Sequence, residues 1–496
     1  VTSPAWPTFV TGCNPGKHGV FDFIQPHGAH FTLVNSTQIK QPTIWQRLSQ
    51  LNYHVGVMNV PVTYPPQPVN GFQIGCLLTP KGAEASYPAG LIARYEAERG
   101  DEIGPYRIVP NVQYKPGNET EFRDDLYDLI HTRGKWALHL IEHEPWDVFM
   151  VHFLAMDLMK HALWRFMDHT HPRHEASPFE HAIRDGYALV DEYIGRLMAK
   201  LPPDAGVMVM SDHGFGPLRN MVNLNVFFMQ KGLLKLKRDP WTQLKAFAFR
   251  HGLTPSAAYQ WIAHLGLQNV IARVSKNTRN NIVGKFLSFE NVDWRRTIAY
   301  SMGHVGQVYL NLAGREPQGI VPPAQYEQRL QEVMAVLREL CDDDGRAILS
   351  QLIRGDQTYQ GPYAHKGADL HLILDDYNMI ACPLFATEGK VMTHQIRGDS
   401  GCHRSEGIFI AYGPGIKQGV ALPAHSITDL APTIMHLLGA PVPMEMDGRV
   451  LSDIFTHPAP VTYSADNAPA TAVSDQQYNA DESAQVEERL RSLGYL

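Results

Sequence analysis

Short apolar runs bounded by turn residues punctuate the chain at 146–154, 206–210 and 408–412. Each is too short for a helix and rich in Val, Met, Phe or Ile, so each predicts a buried strand. The 206–210 run, with a Pro-Pro turn just before it, predicts a strand of a parallel sheet. Weaker strand signals follow at 297–312 and 369–374. Elsewhere the apolar positions fall three and four apart. Ile183, Tyr187, Val190, Ile194 and Leu197 predict a helix over 179–200, and Ile427, Leu430, Ile434 and Leu437 one over 427–438, with Ser426 and Gly439 as its start and stop. At the front, Thr2 or Ser3 caps a predicted helix, Pro4 suits its first turn and Gly12 its end. A short charged helix closes the chain.

The pattern changes after residue 230. Between 231 and 289 there are ten Lys or Arg and one acidic residue, Asp239. Helical stretches at 241–249 and 257–264 make this segment an insertion, expected to pack as a basic cap over the carboxyl end of the sheet. The expected division is therefore core 1–230, cap 231–290, core 291–456, and linker with closing helix 457–496. Net charge is −7, which indicates no affinity for a nucleic-acid polymer or a membrane surface. No apolar run is long enough to span a bilayer. The five cysteines lack CxxC spacing, which argues against a disulfide framework and suits a cytoplasmic protein. The chain opens at Val1-Thr2-Ser3-Pro4 without an initiator Met and reads as a fragment.

The 24 histidines raise the expectation of a metal site without locating one. Ser211-Asp212-His213-Gly214-Phe215-Gly216 follows the 206–210 strand, placing a carboxylate and an imidazole where open α/β sheets bind ligands. The two glycines are expected to let the backbone pass close to a ligand. Asp157 and His161 are four apart just after the 146–154 strand, on one face of a helical turn. His403 precedes the 408–412 strand. Such nitrogen and oxygen donors suit zinc, with manganese the alternative. Each pair alone reads equally well as a cap beside a surface histidine. Thr2 alone reads first as a cap and second as a nucleophile beside the anion-attracting helix start.

The order of these signals, with Thr2-Ser-Pro-Ala-Trp-Pro-Thr-Phe-Val-Thr-Gly12, Asn14-Pro-Gly-Lys-His-Gly19, Asn311 to Val321 and Asp429-Leu-Ala-Pro-Thr433, resembles the alkaline phosphatase superfamily. Within it the chain is most similar to the type I phosphodiesterase/nucleotide pyrophosphatase family. The resemblance implies an α/β/α sandwich with a mostly parallel central sheet, an inserted helical cap, and a first strand lying upstream of Thr2. It implies a metal-dependent hydrolase of small phosphate esters, with Thr2 as the nucleophile that becomes phosphothreonine. It assigns Asp157, His161 and His403 to one divalent cation and Asp212 and His213 to a second, which takes one more Asp from the upstream strand. Relatives that cleave nucleotide diesters carry an Asn three residues after the nucleophile. Here that position is Ala5, leaving Asn14 and Lys17 as candidate phosphate-binding groups. A sulfatase using Cys13, a phosphoglycerate mutase and a non-catalytic relative are the competing expectations.

Overall fold

The structure is a computed structural model that describes residues 2–253, 287–303, 306–383, 385, 389–393, 398–465, 477–493 and 495. The expected α/β architecture is present. A four-stranded sheet runs Ser86–Tyr87, Gly71–Ile74, Val55–Met58, Val148–Val151, with the last three strands parallel. Val55–Met58 is fully buried on both faces, as a central parallel strand must be. One face packs on Trp6, Phe9, Ile44, Trp45 and Leu48 from the helices Thr2–Thr11 and Ile44–Gln50. Trp136 and Leu140 of the long helix Glu119–His143 cover the other. A seven-stranded sheet, largely antiparallel, is built from later strands including Leu370–Leu374 and Gln307–Leu310.

Val207–Met210 departs from expectation. It pairs antiparallel with Phe409–Tyr412 and has no other strand partner among the described residues. Both it and Val148–Val151 are half-buried rather than buried. Met150, Met208 and Met210 nevertheless pack against the same helical core, so apolar composition placed both strands on that core correctly.

The helices largely follow their patterns. Ala182–Met198 buries Ile183 and Leu197, but Tyr187 is 46% exposed, with the Lys160 ammonium 5.8 Å from its ring centre. The 427–438 segment forms a 3-10 turn, Ile427–Asp429, continuing into Leu430–Leu437. Ser426 caps it, and Gly439 at φ +71° ends it. The expected helix over 241–249 is Pro240–Arg250, capped by Asp239. The 257–264 helix lies outside the described residues, as does 466–476 of the expected linker. The chain's last helix, Ala480–Leu493, buries Val486 and Leu490 completely.

Candidate metal centre

The helix Thr2–Thr11 begins with Thr2 already buried, and Pro4 falls in its first turn, where a missing N–H costs nothing. Gly12 at φ +64° ends it. The Thr2 hydroxyl meets His213 Nε2 at 3.0 Å. A threonine inside a helix tends to bond back to a carbonyl one turn earlier, and Thr11 does so to Pro7, but Thr8 pairs its hydroxyl with His18 Nε2 at 2.9 Å.

The helix Ala155–Met167 follows the Val148–Val151 strand directly and carries Asp157 and His161 on one face, as their spacing required. Two short strands, Gly214–Pro217 and Gly401–Arg404, pair antiparallel with His403 opposite Phe215 and Arg404 opposite Gly214. This pairing delivers His403 to a point beside His213, where the two rings stack with centroids 3.7 Å apart. The glycines of the 211–216 stretch serve it. A Cβ on Gly214 would lie 1.9 Å from the Glu406 carbonyl, and one on Gly216 would meet the Arg404 guanidinium at 2.5 Å. They make room for the paired strand and its Arg404, not for a ligand. Arg404 locks the pair by donating to the carbonyls of Pro217 and Tyr377.

The cluster is oriented by its neighbours. His161 Nδ1 lies 3.0 Å from the Gly401 carbonyl and His213 Nδ1 3.0 Å from the Gly214 carbonyl. A carbonyl only accepts, so each Nδ1 carries the proton and each Nε2 faces inward with its lone pair, which in His213 accepts from the Thr2 hydroxyl. His161 Nε2 is 2.9 Å from His403 Nε2, and Asp157 Oδ1 is 3.4 Å from His403 Nε2 and 3.7 Å from His213 Nε2. Asp212 Oδ2 lies 3.4 Å from the same His213 nitrogen. One donor atom from each of Asp157, His161 and His403 lies within 4.8 Å of the others. Asp157 Oδ1 and Asp212 Oδ2 are buried and accept no hydrogen bond from the described residues.

Burial governs the charge states. It pushes His403 down to about 3 and His213 down to about 4, so both are neutral ligands at neutral pH. Burial works to raise the Asp157 carboxyl, but the His161, His403 and His213 rings outweigh it and hold it well below the usual range. Asp212 goes the other way, raised by burial and then by the Asp157 charge. Inward lone pairs, two unsatisfied carboxylate oxygens and neutral imidazoles fit a divalent cation of the zinc type.

The other sequence candidates are spent elsewhere. Asn14 Oδ1 accepts from Gly16 and Gln360 N–H, and its Nδ2 donates to the Thr358 carbonyl. Lys17 is ion-paired to Asp447 and donates to the Glu445 carbonyl. Both residues secure the loop after the first helix, where these partners occupy them. Cys13 is fully buried, and burial pushes its thiol up to about 11. An open cleft of about 1000 Å³ lies beside Ser211 and Asp212, walled by Phe409–Tyr412 and the 416–427 loop. The residue that sequence reasoning missed is Tyr495, whose hydroxyl lies 2.7 Å from Asp157 Oδ2.

Among protein families, the one described as type I phosphodiesterase/nucleotide pyrophosphatase matches residues 1–381. The chain belongs to this family. Its members are hydrolases of phosphate esters. No curated protein matches the chain. Among solved structures, this family member is similar to human ectonucleotide pyrophosphatase/phosphodiesterase 5 at 12% identity and TM-score 0.47, over 92% of this chain and 88% of that one. It is likewise similar to the wild-type alkaline phosphatase PafA at 13% identity and TM-score 0.46, over 92% and 89%. Among the described residues no helix is long and apolar enough to cross a membrane.

Proposed function

We propose that the protein is a metal-dependent phosphoric ester hydrolase that acts through a covalent phosphothreonine on Thr2. The observation that supports this is the position of the Thr2 hydroxyl, at the start of a ten-residue helix and 3.0 Å from His213 Nε2 at the edge of the cluster. Asp157, His161 and His403 would hold one cation, and Asp212 and His213 a second. Bound divalent cations supply Lewis-acid charge that makes a hydroxyl acidic and neutralises phosphoryl and leaving-group oxygens.

The chain's own groups do the rest. The Thr2 hydroxyl gives up its proton and its oxygen attacks phosphorus; a P–O bond forms, the bond to the leaving oxygen breaks, and the leaving group departs as the alcohol on taking up a proton. The first-turn N–H groups of the helix have no intrahelical partners and point at the non-bridging oxygens. Ala5 offers no side-chain donor there, and Asn14 and Lys17 are engaged elsewhere, so backbone groups carry that contact. Water then cleaves the phosphothreonine and regenerates the hydroxyl. The substrate class is a small phosphate ester.

The test is turnover of nitrophenyl phosphate mono- and diesters by zinc-loaded protein, with acid-quench trapping of the phosphoprotein. Thr2→Ala is expected to lose at least about 100-fold in kcat and to trap no phosphate, while Thr2→Ser retains measurable turnover. A Thr2→Ala protein that still turns over at the parent rate refutes the assignment.

A further inference from the structure

We propose that Tyr495 is a positioning residue for the Asp157 ligand, so that the chain's closing helix helps to build the metal centre. This rests on the metal-centre reading above. The Tyr495 hydroxyl lies 2.7 Å from Asp157 Oδ2, and a carboxylate can only accept, so the phenol donates. With Oδ2 held, Oδ1 is the oxygen turned toward His403 and His213, and it accepts no hydrogen bond from the described residues. The phenol therefore selects which oxygen of Asp157 is free to ligate. Partners of this kind, one step behind the ligands, fix ligand orientation and raise metal affinity.

Tyr495 is not a loose tail residue. Its ring is 7% exposed and packs against Phe23 with centroids 5.1 Å apart, and its N–H closes back on the Leu490 carbonyl at 2.9 Å. The helix Ala480–Leu493, which ends two residues before it, is anchored to residues 77–81. Arg489 donates to the Leu77 and Thr79 carbonyls, Gln485 accepts from the Lys81 N–H, and the Tyr478 hydroxyl donates to the Leu78 carbonyl. Tyr478 also stacks on Tyr64 at 5.9 Å. A phenylalanine at 495 would fill the same space against Phe23, so packing alone does not account for the hydroxyl. Its hydrogen-bonding is directed at a ligand 338 residues away in the chain.

The experiment is calorimetric titration of Zn2+ into the chelator-stripped full chain, comparing the parent, Tyr495→Phe and Tyr478→Phe. Tyr495→Phe is expected to bind zinc about 10–100-fold more weakly at one site, with the melting temperature of the stripped protein little changed. Tyr478→Phe removes an anchor hydroxyl without touching Asp157 and is expected to keep the parent's affinity. Parent-like affinity in Tyr495→Phe, or an equal loss in Tyr478→Phe, overturns the positioning role and leaves the metal centre standing. If the parent itself binds no zinc, the metal reading fails, and the role of Tyr495 fails with it.

Discussion

His18 shows how a single buried residue sets a pH limit. Its Nδ1 accepts from the Val20 N–H at 3.2 Å and its Nε2 meets the Thr8 hydroxyl, so the neutral ring is fully used. Burial pushes it down to about 3 from the ordinary 6.5. Between those values the unfolded chain binds a proton that the folded one does not, so stability holds above the ordinary value and falls as pH drops below it. At about 1.36 kcal/mol per unit, the loss from about pH 7 to about pH 5 is about 2 kcal/mol from this residue. Urea unfolding of the parent should therefore show that much more acid sensitivity than His18→Gln, whose amide does not titrate; equal pH slopes would dismiss the account. Residues of this sort differ in how readable they are. Asp157 with His161, and Asp212 with His213, were visible because a strand end and a four-residue step put them together locally. His403 was visible through its place before a strand. The Thr8–His18 pair and the Tyr495 contact were not, because side-chain partners brought together by tertiary packing leave no local period. The partners of Asn14 and Lys17 were illegible for the same reason: at 358–360 and 445–447 they are remote in sequence.

Between elements, Glu119–His143 packs closely against Ala182–Met198. Gly134 sits at the crossing, where an added Cβ would lie 2.2–2.4 Å from atoms of the Tyr193 ring. That ring is 1% exposed and its hydroxyl is engaged by His131, so it has little freedom to retreat. Gly134→Ala gains up to about 1 kcal/mol of helix propensity but loses about 1–3 kcal/mol to overpacking. Net destabilisation is the expected result, read as a lower urea midpoint with an unchanged denaturant slope; a raised midpoint would contradict the geometry. The apolar periods predicted these helices well because an amphipathic stripe reports burial directly. They predicted the partners of the strands less well. An apolar run says that a strand is covered, whereas pairing direction depends on what lies alongside, which is why Val207–Met210 was expected in a parallel sheet and pairs antiparallel.

For the molecule as a whole, the proposed metal centre is a junction: the first helix, the Ala155–Met167 helix, the Gly214–Pro217 and Gly401–Arg404 pair and the end of the closing segment meet there. A cation bound at such a junction stabilises every element that contributes to it. At zinc concentrations about 100 times the dissociation constant the gain is about 2.7 kcal/mol. Chelation is expected to lower the melting temperature and zinc to restore it, by calorimetry; a midpoint indifferent to both would count against a bound ion. The register of the paired strands has a consequence in time. A ribosome makes His161 242 residues before His403, and Asp157 338 residues before Tyr495. A nascent chain that has only Asp157, His161, Asp212 and His213 lacks the partner strand that brings the third imidazole to this face, and a slip of one residue in that pairing would turn His403 away. In the proposed metal-bound protein, the set of Asp157, His161 and His403 would therefore assemble only after the Gly401–Arg404 strand has been made and paired.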